Sequence, residues 1–529
     1  MKCTIKSTAR ALSLLLALVL LAGCSSVTPA ATPTPEVTAT PERHKTDDVL
    51  RIPMPAQVTE FDPLNVKYRM MLDVYGLIYD SFVRIDAERR VEPDVAQSWK
   101  FDTDTGVWAF TLQRGIRWQG DNRELNAYDV TYTLDRIMNE NTIYTEAVKE
   151  EVAAYRVVDL YQVEITPKHE GLMLLYALDF PVVAKDSKAA GFTGLAGTGP
   201  YAVGGTTKSE GRQVLQLARS ESSWRTKPEI ARIECVAVTN EQDAFALYGS
   251  GRLDAMSVPC TFPSTFIQLG QTEKARYLTD TYEFLAVNHL HSALGRLPVR
   301  QAISYAVNTR SIIAQVYENA GVASDTPILP DSWLDRDDKM NYDFDLTRAE
   351  QLLEKDGWTD ENGDGVRERG GEKLSVTILT ERNETNRTHQ TAADLIARML
   401  EKAGIRAQVE AVSHTAFGTR LKEGSYDLAL CSLSVGYSPD ISDVFAAEAF
   451  AGCGYSFSQE KILIERLRAV REEEEFAALY SELQNGMLDR LPFIGLFFSA
   501  DTFLYKDMNV TDGLVAGDVY RTIGEWTFR

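Results

Sequence analysis

Apolar and polar residues alternate along Trp108-Ala109-Phe110-Thr111-Leu112 and again along Tyr161-Gln162-Val163-Glu164-Ile165. Successive side chains of a strand point to opposite faces, so this period of two predicts half-buried strands. Across residues 300–317 and 391–403 the apolar positions recur instead as they would on one face of a helix. One stretch combines both periods: residues 374–380 read as a strand, 381–388 as a loop, 389–403 as a helix and 406–411 as a second strand. A strand, helix and strand in that order form a crossover that makes the two strands parallel. The pattern predicts an α/β chain.

A further apolar run, residues 11–20, follows Lys2, Lys6 and Arg10 and leads into Leu21-Ala22-Gly23-Cys24. It is shorter than the roughly 20 residues of a membrane span. Its charged head, apolar centre and small residues before a cut describe an export signal, here over residues 1–23, with a thioether-linked lipid expected on Cys24. Residues 24–48 are mostly Ser, Thr, Pro, Ala and charged groups, including Thr32-Pro33-Thr34-Pro35, with almost nothing to bury. They read as a tether of partly polyproline character. The mature chain is expected on the outer face of the cytoplasmic membrane, held there only by its lipid.

The roughly 480 residues beyond the tether exceed one ordinary core and call for two or three domains. The formal charge of −21 moves to about −24 once Lys2, Lys6 and Arg10 are removed, which argues against nucleic acid as a partner. Cys235, Cys260, Cys431 and Cys453 remain in the body. Outside the cytoplasm they permit two disulfides, in any of three pairings, or free buried thiols.

Signatures of catalysis are sparse. The chain has no Gly-x-Ser-x-Gly elbow, no His-Glu-x-x-His and no Gly-Lys pair for a phosphate loop. Gly197-Thr198-Gly199-Pro200-Tyr201-Ala202 meets a loose dinucleotide pattern but reads better as a glycine turn entering a strand. His289 and His291 would share one face of a strand, yet no third ligand stands nearby. Asp360-Glu361-Asn362-Gly363-Asp364-Gly365 opens like a calcium loop, with Asp360, Asn362 and Asp364 as weak metal candidates. Gly371 stands where the bidentate glutamate belongs, and a polar turn is the favoured reading. No cofactor and no enzymatic activity are expected.

Phe61-Asp62-Pro63-Leu64, Glu92-Pro93-Asp94-Val95-Ala96-Gln97-Ser98-Trp99, Ala127-Tyr128-Asp129-Val130, Gly197-Thr198-Gly199-Pro200-Tyr201, Leu297-Pro298-Val299-Arg300-Gln301-Ala302-Ile303 and Tyr426-Asp427-Leu428-Ala429-Leu430 occur in an order that resembles the extracellular solute-binding proteins, family 5, of peptide and nickel ABC importers. The resemblance covers essentially the whole mature chain. It implies a two-lobed α/β binding-protein fold with mixed sheets that closes about a hinge. Lobe I would comprise residues 49–90, 199–283 and a return at 499–529, with an inserted subdomain at 91–198. Lobe II would comprise residues 284–498.

The same resemblance implies a monomer that captures oligopeptides by lobe closure and passes them to permease subunits served by cytoplasmic ATPases. A nickel chelate, an oligosaccharide or a signalling peptide would suit the same architecture. Ligand pairing would fall on residues 59–62, through Glu60, Phe61 and Asp62, and on residues 432–436, through Ser434. The family's aspartate for a peptide ammonium is missing from Ser434-Val435-Gly436-Tyr437-Ser438-Pro439-Asp440, leaving Asp440 as its substitute or as a helix cap. Arg382 and Arg387 are candidates for a ligand carboxylate, and Tyr75, Trp333 and Tyr437 for pocket walls.

Overall fold

The computed structural model describes residues 48–529 apart from 57, 59–60, 121, 186–195, 261–271, 336–339 and 384–386. The export signal, Cys24, the tether up to residue 47 and Glu60 therefore lie outside the described residues. No helix among the described residues is long and apolar enough to cross a membrane.

The strand Val107–Leu112 buries Trp108, Phe110 and Leu112 and leaves the residues between them half-buried, as its alternation predicts. It lies inside a four-stranded antiparallel sheet, between Ala96–Asp102 and Gln162–Pro167, with Val152–Asp159 at the far edge. A second four-stranded sheet pairs Val49–Pro55 in parallel with Arg232–Val238 and continues through Arg212–Arg219 to Tyr201–Ser209. Both sheets pack on one core that holds Leu50, Phe61, Phe110, Trp118 and Trp526.

A seven-stranded mixed sheet organises the other half of the molecule. The predicted crossover is present: Ser375–Glu381 runs parallel to Arg406–Val412, and the helix Thr388–Lys402 connects them. Alternate residues of this sheet enter two cores on its opposite faces. Leu285, Leu428 and Leu430 go to one, and Phe284, Ala429 and Cys431 to the other. Burial on both faces explains why Leu428–Ser434 begins as an unbroken apolar run.

The longest strands, Glu273–Val287 and Phe493–Tyr505, join the halves. Tyr277, Phe503 and Tyr505 pack in the first core, whereas Tyr282, Phe284, Phe493 and Phe498 pack in the second half. Their register breaks between Leu278 and Tyr282, at the crossing.

Two expectations change, and the alternatives left open for the cysteines are decided. The helix expected over residues 300–317 is two helices, Leu297–Ala306 and Thr309–Val316, because Asn308 caps the second by accepting from Ser311 N at 2.9 Å. His289 and His291 lie in a turn rather than a strand; His289 Nε2 is 2.9 Å from Pro492 O, and His291 Nδ1 accepts from Ala293 N at 3.3 Å. Cys235, Cys260, Cys431 and Cys453 are free thiols, and burial pushes that of Cys260 up to about 12.

Candidate functional site

Past Ser434 the chain leaves the sheet and carries Tyr437 across to the first core, where its ring packs. The phenol is held from both sides: it accepts from Arg69 Nη2 at 3.2 Å and donates to Ala516 O at 2.7 Å. Burial raises its pKa to about 12, so it stays neutral. Arg69 also donates to Asp280 Oδ1 at 2.8 Å, and Ser434 Oγ donates to Asp280 Oδ2. Asp280 sits in the register break of the long strand, so this network marks the point where the halves meet.

Beside Tyr437 opens a cavity of about 560 Å³. Tyr75 lines it from the helix Met70–Gly76, Arg84 and Arg89 from the segment between residues 84 and 92, and Asp518 and Arg521 from residues 515–525. Most of its charges are neutralised within the wall. Arg84 Nη2 meets Asp518 Oδ2 at 2.5 Å, Arg225 Nε meets Asp80 Oδ1 at 2.7 Å, and Arg521 pairs with Glu92.

Three groups are left incompletely satisfied. Asp518, though paired with Arg84 through Oδ2, keeps Oδ1 buried without a hydrogen-bond partner among the described residues. Asp179 is pushed up to about 6 by burial, against the lowering effect of a hydrogen bond from Ser81. Arg89 is 7% exposed, with Nε and Nη1 buried and unpartnered among the described residues. Its guanidinium lies 4.1 Å from the centroid of the Tyr437 ring. Burial lowers its pKa below the ordinary arginine value, with Tyr437 and Asp280 acting in the opposite direction.

Arg89 is positioned by the turn between Val83–Ile85 and Val91–Pro93, where its φ is 66°. Its carbonyl accepts from Tyr176 Oη at 2.8 Å and from Trp333 Nε1 at 3.1 Å. A left-handed backbone at an arginine is uncommon and is here fixed by both halves of the molecule.

Of the residues singled out in the sequence, Tyr75 and Tyr437 line this cavity. Phe61 is buried against Tyr75, with ring centroids 4.7 Å apart. Asp62 is paired with Arg136 at 2.7 Å and accepts from Leu64 N at 3.1 Å. Trp333 stacks on Phe476 and supports the Arg89 turn. Arg382 donates to Ala411 O at 2.7 Å, and Arg387 precedes the helix Thr388–Lys402, 3.4 Å from Gln390 Oε1. Asp440 pairs with Arg468 at 2.6 Å and accepts from Ser442 N at 2.9 Å, close to the capping role. None of these six lines the cavity.

The Asp360 carboxylate accepts from Gly363 N at 2.8 Å and Gly365 N at 3.0 Å, while Asp364 pairs with Lys373. The segment is a polar turn. Ser432 Oγ lies 2.7 Å from Glu283 Oε1 and 3.1 Å from His389 Nε2, and the same Nε2 lies 3.4 Å from Glu283 Oε2. A relay of the serine-hydrolase kind needs the carboxylate on the other ring nitrogen.

The sequence reading missed Arg89, Asp179 and Asp518. A usable signal existed only for Arg89, in a hairpin turn where glycine or asparagine is the ordinary choice.

A model of the bacterial extracellular solute-binding proteins, family 5, matches residues 90–448. The chain belongs to this family. It is 21% identical over 455 residues to the oligopeptide-binding protein AppA of Bacillus subtilis, covering 80% of this chain and 81% of that one. To the dipeptide-binding protein of Escherichia coli it is 23% identical over 443 residues, covering 76% and 80%. Among solved structures, AppA of Bacillus subtilis with a nonapeptide gives a TM-score of 0.60 at 18% identity, covering 91% and 99%. NikA of Brucella suis with Fe(III)-EDTA gives 0.73 at 20% identity, covering 91% and 100%. These solved structures share the two-lobed binding-protein fold of this chain.

Proposed function

We propose that this family 5 protein is a lipid-anchored substrate-binding protein of an ABC importer, which captures oligopeptides by lobe closure and delivers them to the permease. The observation that carries the reading is the cavity of about 560 Å³ beside Tyr437, a size within the roughly 300–1,000 Å³ usual for ligand sites. Its wall offers carboxylate oxygen at Asp518 and Asp179 that the protein's own cations do not fully use. A peptide ammonium is a fitting partner. Asp440, spent on Arg468, is not needed for that role. Alternating ligand-bound and open states would turn on the long strands at their register break near Asp280.

Native mass spectrometry of protein purified without refolding should find co-purified peptide, and calorimetry with a tri- to pentapeptide pool should lose most of its heat on N-acetylation. A pool that binds neither form would end the peptide reading. Cys24→Ala should release the protein into the medium or leave a larger precursor; unchanged retention in washed membranes would refute the anchor.

A further inference from the structure

The geometry points to Arg89 as the residue that receives a carboxylate of the ligand, so that the cavity selects solutes carrying a free carboxylate at the Tyr437 end. The assignment deepens the proposed importer reading and rests on it. Among the described residues four arginines line the cavity: Arg84, Arg225 and Arg521 each hold a carboxylate of the wall, and Arg89 holds none. A buried cation without an anion is unfavourable, and a protein that keeps one has a use for it.

The contacts that hold Arg89 supply no anion. The Tyr437 ring covers one face of the guanidinium, and a stacked guanidinium keeps its N–H groups in its plane. The turn itself is fixed through the Arg89 carbonyl by Tyr176 and Trp333, without help from the side chain. A planar fork with free N–H groups matches a carboxylate, whose two oxygens can accept together.

A peptide C-terminus and a metal–polycarboxylate chelate share this chemistry, and the experiment separates them. Full-length protein, wild type and Arg89→Gln, is titrated with tri- to pentapeptides bearing free or amidated C-termini, and separately with nickel citrate. For peptides, wild type should prefer the free carboxylate by roughly 30-fold or more, and Arg89→Gln should lose that factor and with it the discrimination. Arg89→Lys should recover part of it.

If peptides bind equally well whether amidated or not, and Arg89→Gln changes nothing, the anchor is refuted while the peptide reading stands. If only nickel citrate binds, and does so through Arg89, the peptide reading falls while the carboxylate anchor stands. If nothing binds, both fall. Ligand-free Arg89→Gln should melt no lower than wild type; a variant that fails to fold or melts well below it would make Arg89 a structural residue and overturn the assignment.

Discussion

Two arginines are buried where the lobes meet, and they are treated in opposite ways. Arg468 reaches Glu150, on a helix whose Val148 packs in the first core, at 2.7 Å and Asp440, next to Ile441 of the other half, at 2.6 Å, and its carbonyl accepts from Gly171 N at 2.9 Å. The Arg89 side chain has the face of Tyr437 but no carboxylate among the described residues, and its backbone is held by Asp86 O, Tyr176 and Trp333. A satisfied cation at a seam binds one lobe to the other. An unsatisfied one leaves a place for a partner the chain does not supply, which is where the proposed ligand carboxylate would go.

The comparison makes its largest prediction at the satisfied seam. Arg468→Met should cost about 2–4 kcal/mol of stability, because it strands the half-buried Asp440 carboxylate and removes the link to Glu150. Urea unfolding measures this directly. Asp440→Asn should follow it in stability yet leave the penalty for N-acetylated peptides unchanged, since Asp440 is given to Arg468. A loss below about 1 kcal/mol in Arg468→Met would erase the distinction between the seams.

How far these roles could be read in the sequence differs between the two arginines for physical reasons. The strand–helix–strand unit and the alternation of Val107–Leu112 are local patterns, and both appear in the fold. The single helix over residues 300–317 failed because the cap at Asn308 interrupts a continuous apolar face without altering its period. Asp440 stood out by its position in a family-like run, but its partner lies 28 residues later and only folding brings them together. The cavity is harder still: Arg84 and Asp518 are separated by 434 positions, and nothing local to either announces the pair. What remained legible at the site was the aromatic character of Tyr75 and Tyr437.

A second prediction sharpens the unsatisfied side. Asp179 takes its proton in the folded protein at about 6, and Asp73, also raised mainly by burial, at about 7; the usual aspartate value is 3.8. Their contribution to stability is complete below the unfolded value and lost as pH rises through the folded one. Stability from these two groups should therefore decline from about pH 4, near the unfolded value, and be lost by about pH 8. Asp179→Asn should flatten the decline and stabilise the ligand-free protein at pH 8 by about 1–3 kcal/mol. Denaturant titrations at both pH values test it, and a variant with an unchanged slope would remove Asp179 from the groups left uncompensated.

The smallest effect is expected where the two kinds of seam meet. Tyr437→Phe removes the hydrogen bonds to Arg69 and Ala516 but keeps the ring against Arg89. The loss of two partly shielded hydrogen bonds should cost about 0.5–1.5 kcal/mol, since Arg69 keeps Asp280 at 2.8 Å. Preference for a free peptide carboxylate should persist, because that preference belongs to the guanidinium and the ring only orients it. Tyr437→Leu removes the flat surface as well and should reduce the preference by several-fold at similar stability. Calorimetry on both variants with free and amidated peptides separates the cases. If Phe loses the discrimination as fully as Leu, the hydroxyl rather than the ring positions Arg89, and the phenol belongs with the ligand-holding side of the comparison.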